Sequence, residues 1–263
     1  MSASVSPDTE SVVVRRLRAA GCVFAEDEAR LLLSEARDAG ELAAMVARRV
    51  AGDPLEHVLG WAGFCGLRIA VEPGVFVPRQ RSELLVREAA ALAAPGAVVV
   101  DLCCGSGALG VAVASLLGEA ELHAADLEPA AVRCASRNVA PFGGHAHQGD
   151  LFEALPPRLR GRIGILLSNV PYVPTEEIAL MPPEARDHEP RLALDGGTDG
   201  LAVLRRVAAA APGWLAPGGH LLVETSRRQA PGAVETLAGA GLLARVVTSA
   251  ELDATAVIGT RQS

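Results

Sequence analysis

The stretch "VVVDLCCGSGALGVAVASLL" (residues 98–117) begins as a β-branched run, turns through Gly105 and Gly107, and continues as a helical apolar pattern. That order predicts a buried strand, a glycine turn and a helix whose N-terminal amides face the crevice beyond the strand end. A nucleotide-like ligand belongs in such a crevice. Gly105, Gly107 and Gly110 spell G-x-G-x-x-G, and Asp126 follows about twenty residues on, where a carboxylate can take two ribose hydroxyls. By spacing alone, NAD is as open a candidate as any adenosyl ligand.

Outward from this unit the same alternation recurs. Strands are expected at "AVVVDL" (97–102), "ELHAADL" (121–127), "HAHQGD" (145–150), "IGILLSNV" (163–170), "GHLLVET" (219–225), "ARVVTS" (244–249) and "TAVIGT" (255–260), with helices between most of them. This is the signature of an α/β, doubly wound, mostly parallel sheet with helices on both faces. Upstream, "TESVVVRRLRAAG", "AEDEARLLLSEARDAG" and "ELAAMVARRVAG" read as helices closed by Gly21, Gly40 and Gly52. "WAGFCGLRIAVEPGVFVP" (61–78) reads as a hairpin, and "RSELLVREAAALAAPG" (81–96) as a helix leading into the sheet. The expected division is a small helical substrate-recognition domain with a hairpin linker, 1–72, and a ligand-binding α/β domain, 73–263.

Composition limits the function. With 263 residues, half of them hydrophobic, the chain can bury a sizeable core. No segment approaches a membrane span, and Met1 to Glu10 lacks the basic-then-apolar build of a signal peptide, so a cytoplasmic, non-membrane protein is expected. Five cysteines without paired spacing argue against a disulfide framework or structural zinc. A net charge of −7 disfavours a broad nucleic-acid surface. His145 and His147 share a strand face, but no acid or third ligand stands at metal spacing, and no metal is expected. A monomer is favoured.

The acids at the strand ends discriminate between ligands. Asp101 closes the first strand where a dinucleotide's diphosphate would meet a like charge. S-adenosylmethionine has no phosphate and carries an ammonium and a sulfonium. Asp126 and Asp150 close the next two strands, Asp150 in reach of an adenine amino group, with Leu151 and Phe152 available as an apolar surface for the ring. The expected cofactor site is therefore Asp101, Cys103, Cys104, Gly105, Ser106, Gly107, Asp126, Leu127, Asp150, Leu151 and Asn169, holding S-adenosylmethionine and releasing S-adenosylhomocysteine. The plainer alternative is that such acids only cap the following helices.

With "NVPY" (169–172) ending the fourth strand, "GVFVPRQRSELLV" (74–86), "DLCCGSGALG" (101–110) and "EPRLALDGGTDGL" (189–201), the chain resembles class I S-adenosylmethionine-dependent methyltransferases. More closely, it resembles the HemK/PrmC family of protein-glutamine N5-methyltransferases. That resemblance implies a glutamine side-chain amide as acceptor, a peptide-chain release factor with its Gly-Gly-Gln loop as protein substrate, and Asn169, Val170, Pro171 and Tyr172 as the clamp. An amide nitrogen is a poor nucleophile, so placement has to do most of the work. The Asn169 side-chain oxygen and the Val170 carbonyl would each accept one N–H and stabilise positive charge developing on nitrogen. Pro171 would fix the turn, and Tyr172 would offer a flat face to the amide. The family usually has Asn-Pro-Pro-Tyr, and Val170 replaces the first proline. "QRSE" stands where Pro-x-Thr-Glu is common, and Cys103 and Cys104 replace a more usual glycine and small polar residue. The rival reading is a nucleic-acid amino-methyltransferase acting on adenine N6 or guanine N2, followed by a small-molecule methyltransferase. A strand-to-loop turn without chemistry is the plain reading of "NVPY".

Overall fold

The computed structural model describes residues 7–262. The first six, part of the stretch weighed above for a signal peptide, lie outside the described residues. Four helices come first: α1 (Pro7–Ala19), α2 (Ala25–Glu35), α3 (Ala39–Val50) and the short α4 (Leu55–Leu59). Their apolar faces close on one another through Val13, Leu17, Ala29, Leu32, Met45, Val46 and Val58. An antiparallel hairpin follows, β1 (Trp61–Phe64) and β2 (Leu67–Ala70), then α5 (Glu83–Leu92). From there the chain alternates: β3 (Val98–Leu102), α6 (Ala108–Leu117), β4 (Glu121–Asp126), α7 (Pro129–Val139), β5 (His145–Gln148) and β6 (Ile163–Ser168). The remainder is α8 (Pro183–His188), α9 (Ala202–Ala210), β7 (Leu215–Thr225), α10 (Ala230–Gly239), β8 (Leu242–Ser249) and β9 (Ala254–Arg261).

The helical region departs from expectation at one boundary. The second helix was expected to run to Gly40, yet α2 stops at Glu35 and Gly40 lies in the first turn of α3. Capping chemistry overrides the apolar period here. The Asp38 side chain accepts from the Glu41 amide at 2.8 Å, while Glu41 accepts from the Arg37 amide at 2.7 Å, one residue beyond the N-cap amide of the usual reciprocal box.

The sheet is ordered β5-β4-β3-β6-β7-β9-β8. Strands β3 to β7 pair in parallel, and β9 runs antiparallel between β7 and β8. All seven strands expected from the sequence are present. The β8–β9 connection is only a few residues, too short for the crossover a parallel pair needs, so β9 must reverse. The sheet buries both faces: Val99, Ile165, Leu167 and Leu222 pack on one side with α5 and α6, and Val100, Leu166, Leu221 and Val223 on the other with α9 and α10. This explains the near-continuous apolar runs in β3 and β6. Trp214 is buried on the second face, stacked on Phe152 at 5.5 Å between ring centroids.

Chain order reverses between β3 and β6. At that switch point the loops leaving both carboxyl ends diverge and open a crevice, the expected place for a ligand in an open α/β sheet. Consequently "DLCCGSG" and "NVPY", some sixty residues apart, become neighbours.

Candidate active site

A cavity at this switch point is walled by the loop after β3, the ends of β4 and β5, residues 169–173, segment 74–82 and residues 189–195. Of the residues singled out from the sequence, Cys103, Cys104, Gly105, Ser106, Asp126, Leu127, Asp150, Leu151 and Asn169 to Tyr172 all reach the wall. Asp101 and Gly107 do not. Phe152, considered as a surface for an adenine ring, is instead buried against Trp214.

On one side stands the glycine loop. Cys103, Gly105 and Gly107 have φ of 58°, 53° and 76°, so the chain coils tightly back into α6. Gly110 is needed for contact rather than conformation: a Cβ there would come within 2.9 Å of Leu122 and 3.0 Å of Asp101. The loop's glycine amides are already spent. Gly105 N–H donates to Asp126 Oδ2 at 2.9 Å, Gly107 N–H to the Cys104 carbonyl at 2.7 Å, and Gly110 N–H to Asp101 Oδ2 at 2.9 Å. A diphosphate would have to displace carboxylates to reach them, so the loop is unsuited to NAD and fits a ligand without phosphate. Asp126 also accepts from the Glu128 amide at 3.0 Å, which fixes its carboxylate at the cavity edge. Asp150 is paired with Arg206 at 2.6 Å.

Asp101 lies beneath the loop, only 1 % exposed, and its Oδ1 has no hydrogen-bond partner among the described residues. Burial, reinforced by the neighbouring Asp126 charge and opposed by the Gly110 hydrogen bond, pushes its carboxyl up to about 7. Burial likewise pushes the Cys103 and Cys104 thiols up, which makes them poor thiolates.

The opposite side is built from segments far apart in sequence. Asn169 leaves β6 and its Nδ2 donates to Ser82 Oγ at 3.3 Å. Ser82 Oγ donates to Glu224 Oε2, and Glu224 Oε1 accepts from Arg81 Nε and from the Tyr172 hydroxyl, both at 2.9 Å. Arg81 also donates to the Tyr172 hydroxyl at 2.6 Å. Burial, then the adjoining Glu224 charge, pushes the Tyr172 phenol up, so it stays a neutral donor.

The "DGGTDG" segment (195–200) holds the turn from behind. Val173 pairs with Leu194 and Gly196 through backbone hydrogen bonds of 3.0 and 2.8 Å, and Gln229 Nε2 donates to the Tyr172 carbonyl at 2.8 Å. Gly200, at φ 74°, presses against the Tyr172 carbonyl and Gln229, where any Cβ would collide. Gly196 lies where a Cβ would meet the Pro171 carbonyl at 2.7 Å. Below, Arg79 pairs with buried Glu189 at 2.6 Å, tying segment 74–82 to residues 189–195.

Sequence reasoning missed Ser82, Arg81, Glu224 and Gln229. Glu224 ends β7 in "GHLLVET" just as Asp101, Asp126 and Asp150 end their regions, so the strand-end rule could have found it. No comparable signal marks Gln229.

A phosphate-free adenosyl crevice beside a strand-end Asn-x-Pro-Tyr turn defines a class I S-adenosylmethionine-dependent methyltransferase, and residues 66–181 match the family model "Methyltransferase small domain". A methyltransferase from Pyrococcus furiosus shares the fold, with a TM-score of 0.58 at 15 % identity, over 84 % of this chain and all of that one. The chain belongs to the release factor glutamine methyltransferase family. It is 42 % identical to the Geobacter sulfurreducens member over 72 % of this chain and 68 % of that protein. The Cereibacter sphaeroides member is 36 % identical over 94 % of both chains. A Streptomyces pristinaespiralis 4-amino-L-phenylalanine/4-methylamino-L-phenylalanine methyltransferase is 38 % identical over 68 % of this chain and 63 % of that protein. Among the described residues no helix is long and apolar enough to cross a membrane, and no cluster of three potential metal ligands occurs.

Proposed function

We propose that this enzyme methylates the N5 amide nitrogen of a glutamine in a peptide-chain release factor. The observation that supports this reading is that Asn169 and Val170 both line the cavity at the end of β6, with the Asn169 side chain donating to Ser82 and no described residue donating to its oxygen. S-adenosylmethionine supplies an electrophilic methyl group on a sulfonium. Asp126 holds the ribose hydroxyls, with Leu127, Leu151 and the Cys103–Ser106 loop enclosing the rest. Asn169 and Val170 each accept one N–H of the glutamine amide, which aims its nitrogen lone pair and stabilises the positive charge that grows there. Pro171 fixes the turn, and Tyr172 forms the wall against the planar amide. No side chain needs to remove a proton beforehand, because the methylated nitrogen is acidic enough to lose one to water.

The helical unit, within residues 1–72, presents the protein substrate to this site. A whole release factor should therefore show a much lower KM than a short peptide carrying the same Gly-Gly-Gln sequence. Equal values would remove that role from the helices.

The arylamine-methylating relative supports a second reading, because a free amine could use the same acceptors. Peptide mapping of a release factor incubated with enzyme and labelled S-adenosylmethionine separates the two. A methyl on the Gly-Gly-Gln glutamine is expected. An unmodified factor, together with methylation of 4-aminophenylalanine, would overturn the protein reading.

A further inference from the structure

We infer that Glu224 and Ser82 are positioning residues that dictate which end of the Asn169 carboxamide faces the acceptor, an inference that rests on Asn169 holding the acceptor amide. A carboxylate can only accept hydrogen bonds, and Glu224 accepts three, from Arg81, from Tyr172 and from Ser82. The single proton of the Ser82 hydroxyl is thereby committed to Glu224. Toward Asn169, Ser82 can present only a lone pair. The Nδ2 end of Asn169 is the only end that can face a lone pair, and it donates there at 3.3 Å. The Oδ1 end is then left for the cavity, where it can accept but never donate.

The orientation matters because the two ends of a carboxamide have opposite chemistry. Were the group turned over, an NH2 would confront the NH2 of the substrate glutamine, and donor would oppose donor. The geometry also makes the device burial-protected: Ser82 is 2 % and Glu224 4 % exposed, so water does not compete for the chain of bonds. Arg81 contributes by donating from its Nε to the same carboxylate at 2.9 Å, which holds Glu224 in place beneath Ser82.

Replacing Glu224 by Gln keeps the shape but gives that position an NH2 that can donate to Ser82. The Ser82 proton is then released toward Asn169, which can turn its oxygen inward. Steady-state methylation of the release factor by Ser82→Ala, Ser82→Thr, Glu224→Gln and the double variant Ser82→Ala/Glu224→Gln tests this, with Asn169→Ala as a reference. Glu224→Gln is expected to lower kcat by about tenfold or more, with S-adenosylmethionine affinity and acceptor KM nearly unchanged. Ser82→Ala should lower kcat less, because Asn169 is then free to take either orientation. Ser82→Thr, which keeps the hydroxyl, should restore it.

In the double variant Glu224→Gln should add little to the loss caused by Ser82→Ala, since its route to Asn169 has been removed. Multiplicative losses, or normal kcat in both single variants while Asn169→Ala is crippled, would overturn the positioning role and leave the proposed function intact. Near-normal turnover by Asn169→Ala would overturn both. If Glu224→Gln fails to fold, the Ser82→Ala and Ser82→Thr pair still decides: unchanged kcat in Ser82→Ala refutes the inference.

Discussion

The two walls of the cavity are built on opposite plans. On the glycine-loop side the polar groups satisfy one another within a few turns of chain: Asp101 and Asp126 take the amides of Gly110 and Gly105. On the Asn169 side they form a network from three distant segments, and no described residue donates to the Asn169 side-chain oxygen. The first wall is a shaped receptacle, so losing one contact there should weaken binding. On the proposed assignment the second orients one amide, so losing one contact there should slow turnover while binding survives.

Asn169→Ala tests that division most severely. Turnover should fall by roughly 10²-fold or more, the scale of removing one preorganised partner of a developing charge, while calorimetry finds that the affinity for S-adenosylmethionine, whose expected site Asn169 borders, changes little. A parallel loss of both would mean that the two walls are not separate in function. Asp126→Ala should show the converse, with cofactor affinity weakened by about 1 to 3 kcal/mol, the range for losing a charged acceptor, and turnover at saturating cofactor less affected. NAD should not bind either protein.

Gly200→Ala probes the join between the second wall and its support. An alanine at positive φ in contact with the Tyr172 carbonyl should cost on the order of 1 to 3 kcal/mol of stability, read as a lower thermal midpoint, and should displace the "NVPY" turn enough to lower kcat. An unaffected kcat in the folded variant would show that the "DGGTDG" segment only supports the fold.

The effect furthest from turnover concerns Asp101 and the pH dependence of stability. Its folded value of about 7 lies above the ordinary 3.8, so between those values the folded state holds more protons than the unfolded one. The stability this group contributes is complete below pH 3.8 and is lost as pH rises through about 7. Asp101→Asn should therefore flatten the fall in unfolding free energy between pH 4 and 8 and leave the variant relatively more stable at the alkaline end. Denaturant titrations across that range read the slope, and an unchanged slope would place the buried proton elsewhere.

How much was legible follows from the same contrast. The strands announced themselves because burial on both faces demands runs such as "VVVDL" and "IGILLS", and the glycine loop because tight coiling admits few other residues. The end of the second helix was misplaced because a local hydrogen-bond pattern at Asp38 and Glu41 outweighed apolar spacing. The glycine-loop wall was largely readable because its parts lie within about fifty residues and each sits at a strand end. Asp101 was seen as a strand-end acid, but the sequence could not show that it lies under the loop rather than on the cavity wall.

The amino-acid sequence by itself determined the sheet, the crevice at its switch point and the Asn-Val-Pro-Tyr turn, because burial, glycine conformation and proline geometry act over short stretches of chain. Only the tertiary structure decided which way Asn169 faces. That depends on a serine 87 residues upstream and a glutamate 55 residues downstream, brought together by strand order, and no local rule specifies where a hydroxyl proton goes once three segments meet.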